Sequence, residues 1–404
     1  MLKNIKVTNF CSIGETQEMS FEVTSKDILN DSVKKISLTD KTKSSVSLNL
    51  VSCLIGANAS GKTTMIKAIT FLFRLICDSY GSSNSKIPSI AHKLREDQST
   101  KIEISFLDGG SLYRYSIELN QKEILHEYLG KRVERETRVF ELSRKNGKTE
   151  IKASKIKINE TDKQRFMERS NVPLLSSLIS TKYITDISFF EKFISNVTHF
   201  GMSYAPSFSN FLTSSEILRN DEALLGEVLK ISQKVDLGIS KFGFREMVFQ
   251  SGSDLKDEDK KWFLQCIHAS DKKSFTLDLL YESNGTQHFI YILSKILPIL
   301  RTGGVVVLDE IETGLHPHIV KKLIELFEDK KINHSNAQII FSTHQHPLIA
   351  DRTKTQIFLA EKDDKNFETE IYRLDDVNGV RNDENYYKKY IAGAYGATPK
   401  INWL

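Results

Sequence analysis

Short runs of consecutive apolar residues recur along the chain and are its clearest structural signal. An apolar run of four to eight residues bounded by turn residues is typical of a strand that is buried on both faces of a sheet. The pattern therefore predicts the buried strands of an α/β fold. The segments predicted as strands of this sheet are Leu50 to Ile55, Val305 to Leu308, Gln338 to Ser342, Gln356 to Ala360 and Thr369 to Arg373.

A second group of segments reads as β-strands that include alternation between apolar and polar residues, as in sheets with one solvated face. Asp108-Gly109-Gly110 and Asn146-Gly147 favour hairpin turns beside these segments. The sequence thus predicts an antiparallel sheet around the first buried strand and the helix after it. Its predicted strands are Ile5 to Phe10, Met19 to Val23, Lys101 to Leu107, Leu112 to Leu119 and Arg138 to Ser143, and Asp27 to Ser47 is predicted to be a loop.

Helical spacing of apolar residues fills much of the remaining chain. It covers Thr64 to Cys77, dominates Thr161 to Val235, and returns in a long helix through Leu300 and in His316 to Asp329. A strand is predicted from Phe275 to Tyr281, before the long helix. The predicted domains are an N-terminal lobe at residues 1–158, which Gly81 to Ser85 interrupts, a helical insertion at residues 159–235, and a C-terminal lobe at residues 236–404.

The composition is that of an ordinary globular protein. The 404 residues are 27% charged, and the formal net charge is +4. No apolar run approaches the length of a membrane span, and the N-terminus lacks the profile of a signal peptide. The cysteines are far apart without a CxxC pair, which fits a reducing compartment; they are Cys11, Cys53, Cys77 and Cys266. We therefore expect a cytoplasmic protein with no membrane partner.

One segment, residues 131–165, is strongly basic compared with the rest of the chain. It contains twelve Lys and Arg residues against six Asp and Glu residues, counted from the printed sequence. A charge run of this kind is commonly a solvated face of a hairpin. The alternative is a surface that contacts the phosphate backbone of a nucleic acid. The sequence leaves both interpretations open.

The segment Gly56 to Thr63 fits the pattern of a phosphate-binding loop: a glycine, four residues and then Gly-Lys-Thr. It lies between a predicted strand and a predicted helix, where backbone N–H groups and the positive helix end face phosphate oxygens. We expect Lys62 to reach the β- and γ-phosphates of ATP and the Thr63 hydroxyl to ligate Mg²⁺. The predicted nucleotide contacts here are Gly56, Asn58, Ser60, Gly61, Lys62, Thr63 and Thr64.

Two acidic residues, Asp309 and Glu310, directly follow the apolar run that ends at Leu308. A buried parallel strand delivers such residues to the carboxyl edge of its sheet, where ligands bind in α/β proteins. We expect Asp309 to hold Mg²⁺ through water and Glu310 to be the base that polarises the attacking water. The alternative is a pair of acids that merely ends a strand at a solvated edge.

The segment Ser283 to Gln287 precedes the long apolar helix and resembles the signature motif of ABC-class ATPases. Ser283, Gly285 and Thr286 form a small-residue turn at a positive helix end, which suits a γ-phosphate. An ordinary helix N-cap is the alternative. His344, at the end of a predicted strand, resembles the switch histidine that senses the γ-phosphate. The neighbouring histidine pairs, His316 with His318 and His344 with His346, also raise a metal interpretation, which the adjoining nucleotide motifs make unnecessary.

Taken together, these motifs resemble the OLD-like branch of ABC-class AAA ATPases. The resemblance rests on Asn9-Phe10-x-Ser12, the phosphate loop, the Gly-Thr-Gln signature and Asp309 to Pro317, and it covers nearly the whole chain except the helical insertion. It implies an α/β ABC-type P-loop ATPase head, a mixed sheet with an antiparallel β-subdomain, and a helical insertion. In that class the signature faces the ATP of a second protomer. The resemblance therefore implies a head-to-tail homodimer with two ATP molecules between the heads, and it leaves higher assembly open.

The closing segment, Tyr390 to Pro399, is similar to the tail of RloA/AbiLi-type ATPases. That similarity implies the ATPase subunit of a two-gene bacterial anti-phage system, which controls an effector, a nuclease or toxin, encoded nearby. Two departures affect the nucleotide site. Cys11 stands where many relatives carry a basic residue, and Gln98 is only a weak match for the Q-loop glutamine.

Two other functional classes share this ATPase head. One is a RecF- or Rad50-like DNA-repair ATPase, which clamps DNA when ATP is bound. The other is an OLD nuclease, in which a Toprim domain of roughly a hundred residues or more follows the ATPase. After His344 the printed chain has sixty residues, and part of them is assigned to strands, so we expect no nuclease domain in this chain.

Overall fold

The computed structural model describes residues 1–23, 32–38, 44–81, 87–88, 90–132, 135–195, 208–250 and 258–399. No helix in these ranges is both long enough and apolar enough to cross a bilayer. Most of the break predicted at Gly81 to Ser85 and part of the loop predicted at Asp27 to Ser47 lie outside the described residues.

The secondary-structure elements are as follows, in chain order. The strands are β1 (Leu2–Thr8), β2 (Gln17–Ser20), β3 (Val33–Ser37), β4 (Ser45–Asn49), β5 (Val51–Gly56), β6 (Thr100–Asp108), β7 (Ser111–Leu119), β8 (Ile124–Arg132), β9 (Glu136–Lys145), β10 (Lys148–Ala153), β11 (Phe193–Ser195), β12 (Lys241–Gln250), β13 (Glu258–Ala269), β14 (Ser274–Asp278), β15 (Val305–Leu308), β16 (Gln338–Ser342), β17 (Ile357–Lys362) and β18 (Thr369–Arg373). The helices are α1 (Lys62–Asp78), α2 (Glu160–Glu168), α3 (Leu174–Ser180), α4 (Phe208–Asn220), α5 (Glu222–Lys234), α6 (Asn284–Thr302), α7 (Pro317–Glu328) and α8 (Tyr386–Ile391).

The apolar runs form one central sheet with the strand order β11-β15-β16-β5-β17-β18. Neighbouring strands are parallel up to β17, and β18 is antiparallel to it. Alternate residues of β15 enter different hydrophobic clusters, with Val305 and Val307 in one and Val306 and Leu308 in the other. Both faces of the sheet are therefore covered, which explains why the runs are apolar throughout.

An antiparallel sheet with the order β10-β9-β8-β7-β6-β1-β2 packs beside the central sheet. Its apolar side chains share one cluster with α1 and with one face of the central sheet, and α6 and α7 contribute to the cluster on the opposite face. The predicted α/β class with an antiparallel β-subdomain is confirmed. This layering leaves the carboxyl ends of β5, β15 and β16 at one edge of the parallel sheet.

Several strands were not predicted. The loop predicted at Asp27 to Ser47 is wrong where it is described, because β3 pairs with β4 there and their apolar residues form a small separate cluster with Leu107. The strand predicted from Phe275 to Tyr281 ends at Asp278, and a 3₁₀ turn, Leu279–Tyr281, follows. The other strands of this group complete antiparallel pairs, and their charged residues obscured the alternation of apolar and polar positions. They are β8, β10, β12 and β13.

The segment predicted as a helical insertion contains α2, α3, α4 and α5, but also β11. β11 pairs in parallel with β15 at the edge of the central sheet, through Phe193 and Val305 among others. Leu224 and Val228 of α5 belong to the same cluster as α6. The segment is thus packed against the central sheet and the cluster that contains α6 through these two elements. The division into domains at residues 158 and 235 stays a prediction.

One buried carboxylate links the antiparallel sheet to α3. Glu127 of β8 is fully buried and accepts hydrogen bonds from the backbone N–H groups of Leu174 (2.5 Å) and Leu175 (2.8 Å) and from the Tyr115 hydroxyl (3.0 Å). Burial raises the pKa of Glu127 from 4.5 to about 7, although these hydrogen bonds and nearby Arg144 oppose the shift. The carboxyl group therefore titrates near neutral pH in the folded protein.

We expect Glu127 to make stability fall as the pH rises. Between about pH 4.5 and about pH 7 the folded state keeps a proton that the unfolded state has released, so the free energy of unfolding decreases across this window. Glu127→Gln cannot ionise, and its stability relative to the wild type should improve over the same window. Urea unfolding at about pH 5 and about pH 8 measures this. Glu150→Gln, at an exposed residue of β10, is the control, and an equal response in both variants would contradict the assignment.

Candidate nucleotide-binding site

The phosphate loop joins the end of β5 to the start of α1, as predicted. Gly56 has φ 153° and Gly61 has φ 104°, in the region that L side chains rarely adopt. A Cβ atom at Gly56 would lie 2.3 Å from the carbonyl oxygen of Ala360, and one at Gly61 would lie 2.0 Å from the Thr369 hydroxyl. Glycine is therefore required at both positions by conformation and by space.

Lys62 places a buried positive charge within this loop. Its side chain is buried, and its Nζ donates hydrogen bonds of 2.9 Å to the carbonyl oxygens of Gly56 and Ala57. Desolvation lowers the pKa of Lys62, whereas the nearby Asp309, Glu310 and Glu312 raise it. An ammonium group positioned this way is suited to neutralising phosphate oxygens at the start of a helix.

Thr63 and Asp309 lie in direct contact although they are far apart in the sequence. The Thr63 hydroxyl donates to Asp309 Oδ2 at 2.9 Å, and the Ser342 hydroxyl donates to Asp309 Oδ1 at 2.5 Å. The backbone N–H of Glu310 donates to the same Ser342 oxygen at 2.8 Å. A hydroxyl beside a carboxylate is the oxygen donor set that Mg²⁺ uses in proteins, so these residues fit the predicted ion.

Glu310 and His344 face each other beside this pair. The distance from His344 Nε2 to Glu310 Oε1 is 3.5 Å, and the side chains are 36% and 28% exposed, respectively. The backbone N–H of His344 donates to Glu312 Oε1 at 2.5 Å, which ties the end of β16 to the segment after β15. Glu310 thus has a carboxylate that water can reach, next to the His344 imidazole.

Both predicted catalytic residues and the predicted loop residues other than Gly56 line one cleft of about 710 Å³. Within the described part of the chain, the Ser60 hydroxyl is buried and has no hydrogen-bond partner, as expected of a group that receives a ligand. The residues of the cleft therefore fit a nucleoside triphosphate. Its lining consists of Ser12, Asn58, Ala59, Ser60, Gly61, Lys62, Thr63, Thr64, Glu310, His344 and Lys362.

Three residues of this site were not assigned a role from the sequence. Ser342 orients Asp309 through its hydrogen bond. The sequence signal that could have identified Ser342 is its position as a hydroxyl residue at the end of the buried strand β16. The Ser12 hydroxyl lies 2.9 Å from the Thr64 hydroxyl and 2.8 Å from the Thr369 hydroxyl. Lys362 lines the cleft from the end of β17. No local motif marked Lys362, because only the sheet order brings β17 beside β5.

The signature residues lie outside the lining of this cleft. The Ser283 hydroxyl accepts a hydrogen bond from the backbone N–H of Thr286 at 3.1 Å and so caps α6. A Cβ atom at Gly285 would lie 2.4 Å from the carbonyl oxygen of Gly314, in the segment that follows Glu310. Within one protomer, therefore, the N-cap interpretation describes Ser283. Ser283 and Asn284 are exposed to solvent.

The remaining sequence candidates have structural partners. The backbone N–H of Cys11 donates to the carbonyl of Ile90, and the carbonyl of Gln98 accepts from the Asn9 side chain. His316 caps α7 by accepting from the backbone N–H of His318. No group of three or more His, Cys, Asp or Glu side chains suited to a metal ion occurs in the part of the chain that the structure describes.

The basic segment forms the β9–β10 hairpin and continues into α2. Some of its charges are paired locally, as in Arg138 with Glu141 (2.9 Å) and Lys152 with Glu150 (3.2 Å). Other lysines, among them Lys148 and Lys155, are exposed. The hairpin thus has a solvated face that carries charged residues, and nucleic-acid contact stays a prediction.

Comparison with known proteins assigns the family. No curated protein matches the chain. Among solved structures, the SMC head domain from Thermotoga maritima aligns at 13% identity over 92% of this chain and 98% of that chain, with a TM-score of 0.41. A family model described as "AAA domain, putative AbiEii toxin, Type IV TA system" matches residues 51–351, from β5 to the turn after His344. Because the match covers most of this chain, the chain belongs to that AAA-domain family.

Proposed function

We propose that the protein binds and hydrolyses ATP with Mg²⁺, and that its ATP-bound heads dimerise to control a partner effector in bacterial anti-phage defence. The observation that carries the proposal is the contact of buried Asp309 with Thr63, which lines one cleft together with Lys62 and Glu310. Phosphoryl transfer to water requires mainly positioning and charge neutralisation, and these residues are suited to both.

Each residue has a separate task in this proposal. Lys62 and the loop N–H groups bind the phosphates, and Thr63 and Asp309 hold the ion, which when bound neutralises charge on the phosphate oxygens. Glu310 orients the attacking water and accepts its proton through the carboxylate that faces the cleft. His344, which lies 3.5 Å from Glu310, contacts the terminal phosphate. Because the backbone N–H of His344 is hydrogen-bonded to Glu312, this contact transmits the presence of the phosphate to the segment after β15.

Dimerisation is supported by the position of the signature. Ser283 and Asn284 are exposed at the positive end of α6 and do not line the cleft of their own protomer. They are therefore free to meet the triphosphate of a second copy. Gly285 packs on Gly314, a few residues after Glu310, so the signature and the catalytic carboxylate belong to one connected unit.

Control of a partner is inferred because ATP hydrolysis is the reaction that we assign to this chain. Such a protein communicates its nucleotide state to a partner by opening and closing its heads. ATP binding at two sites, if it favours the closed heads by a few kcal/mol, shifts the equilibrium between a held and a released partner by orders of magnitude.

The family description names a toxin, so direct toxicity of this chain is the second candidate function. A DNA clamp, through exposed residues such as Lys148 and Lys155, is the third.

Expression in phage-challenged cells separates these functions. We expect the chain alone to be harmless, and harm to require both a neighbouring effector gene and an intact Lys62, because the effector responds to the ATP-bound state. Growth and nucleic-acid integrity are measured for the wild type, for Lys62→Ala and for the control Lys322→Ala, at an exposed lysine of α7. ATP-dependent degradation of nucleic acid by the purified single chain would contradict the regulatory role. An ATPase rate that rises sharply with DNA alone would favour the clamp.

A further inference from the structure

The turn between β17 and β18 is attached to the phosphate loop at both ends. On one side, Ala360 of β17 pairs with Gly56, and two residues later Lys362 lines the nucleotide cleft. On the other side, the Thr369 side chain packs against Gly61, where a Cβ atom would lie 2.0 Å from its hydroxyl. The position of this turn relative to the loop is therefore determined by the sheet.

The turn is also held by its own hydrogen bonds. The backbone N–H of Asp363 donates to the carbonyl of Glu368 at 2.9 Å, and that of Phe367 donates to the carbonyl of Asp363 at 3.1 Å. The Asp363 carboxylate accepts from the backbone N–H groups of Lys365 (2.7 Å) and Asn366 (3.0 Å). Phe367 is thus presented by a closed turn with a defined backbone.

Phe367 is unusual in both conformation and exposure. Its φ is 59°, a left-handed conformation that bulky residues rarely adopt, and its side chain is 58% exposed. Its ring centroid lies 5.7 Å from the Nζ of Lys362, within the range of a cation–π interaction. The exposed ring is thereby connected to the cleft through a lysine that lines it. By contrast, the exposed Phe275 of β14 stacks on His268, with centroids 4.9 Å apart.

We propose that Phe367 is the stacking platform for the base of the bound nucleotide, with Lys362 joining the ring to the phosphate cleft. The inference rests on the proposed ATP binding. The loop and Lys62 account for the triphosphate, whereas the base is a flat aromatic group that needs an apolar surface beyond them. A ring held by a closed turn, 5.7 Å from the Nζ of the cleft-lining Lys362, supplies that surface. Because every base has a π-face, the platform favours nucleotides over bare polyphosphate and treats adenine and guanine alike.

The test compares a nucleotide with a ligand that lacks a base. ATP, GTP and inorganic tripolyphosphate are titrated with Mg²⁺ by calorimetry against Phe367→Ala, Phe367→Tyr and the control Phe275→Ala, all in a Glu310→Gln background to prevent turnover. We expect Phe367→Ala to weaken ATP and GTP by about 5- to 150-fold, the range that base stacking supports, and to leave tripolyphosphate unchanged. Phe367→Tyr and Phe275→Ala should bind all three ligands as the background does.

Each other outcome overturns a defined part of the account. If Phe367→Ala binds ATP as tightly as the background, or loses ATP and tripolyphosphate equally, Phe367 is not a base platform. If the background protein binds neither ATP nor tripolyphosphate, the proposed function fails together with this inference. If Lys62→Ala abolishes both ligands while Phe367→Ala changes neither, ATP binding stands and the platform alone is wrong.

Discussion

Replacing Glu310 with glutamine should abolish ATP turnover and leave ATP binding intact. The amide has the same shape but cannot accept the proton of the attacking water, and a positioned general base typically contributes about 10²- to 10⁴-fold in rate. The backbone N–H of Glu310 still donates to Ser342 in the variant, so Asp309 keeps its orientation. Lys62→Ala should instead abolish binding, because it removes the buried positive charge of the loop.

Phosphate release and calorimetric ATP binding distinguish these two effects. The expected pattern is normal affinity without turnover for Glu310→Gln, and neither affinity nor turnover for Lys62→Ala. Glu325→Gln on α7, which removes only the pairing with Lys322, is the control and should match the wild type. If Glu310→Gln hydrolysed ATP at the wild-type rate, the role assigned to this carboxylate would be wrong.

Asn284→Glu should also abolish turnover, although this residue lies outside the cleft of its own protomer. In the proposed dimer a carboxylate here faces the triphosphate of the partner subunit, and placing like charges together costs several kcal/mol, on the order of 100-fold or more in rate. The folded protomer should tolerate the change, because a negative charge in the first turn of α6 is favourable. Gly285→Glu is a poorer probe, since any side chain there meets Gly314 within the same chain.

The measurements are thermal unfolding and ATPase rate for Asn284→Glu and for the neutral control Asn284→Ser. We expect both variants to keep the wild-type melting temperature and only the charged variant to lose turnover. Full turnover by Asn284→Glu would remove the signature interpretation and leave Ser283 as an ordinary helix cap.

The features that local patterns determine were predicted well. The phosphate loop depends on consecutive residues, β15 and β16 depend on apolar runs that are buried on both faces of the sheet, and α6 depends on helical spacing of apolar residues. Strands that depend on a distant partner were missed. β11 has only three residues and is a strand because β15 lies beside it, and β13 begins with four consecutive charged residues.

The same distinction applies to the candidate site. Thr63 and Asp309 were each predicted from a motif, but their 2.9 Å contact results from the order of the strands. Ser12 is 357 residues from Thr369, and their hydroxyls meet only because the antiparallel sheet and β18 pack together. The position of Lys362 likewise follows from β17 lying beside β5. Such contacts have no signal in a single sequence.

The central claim is that two protomers share each ATP site, and mixing two inactive variants tests it most directly. Lys62→Ala lacks the phosphate contact but keeps its signature, whereas Asn284→Glu has the reverse defect. After the two variants exchange protomers, we predict about a quarter of the wild-type ATPase rate, because half of randomly formed dimers are mixed and each of these has one complete site. An inactive mixture, with mixed dimers verified by differently tagged protomers, would contradict the shared site.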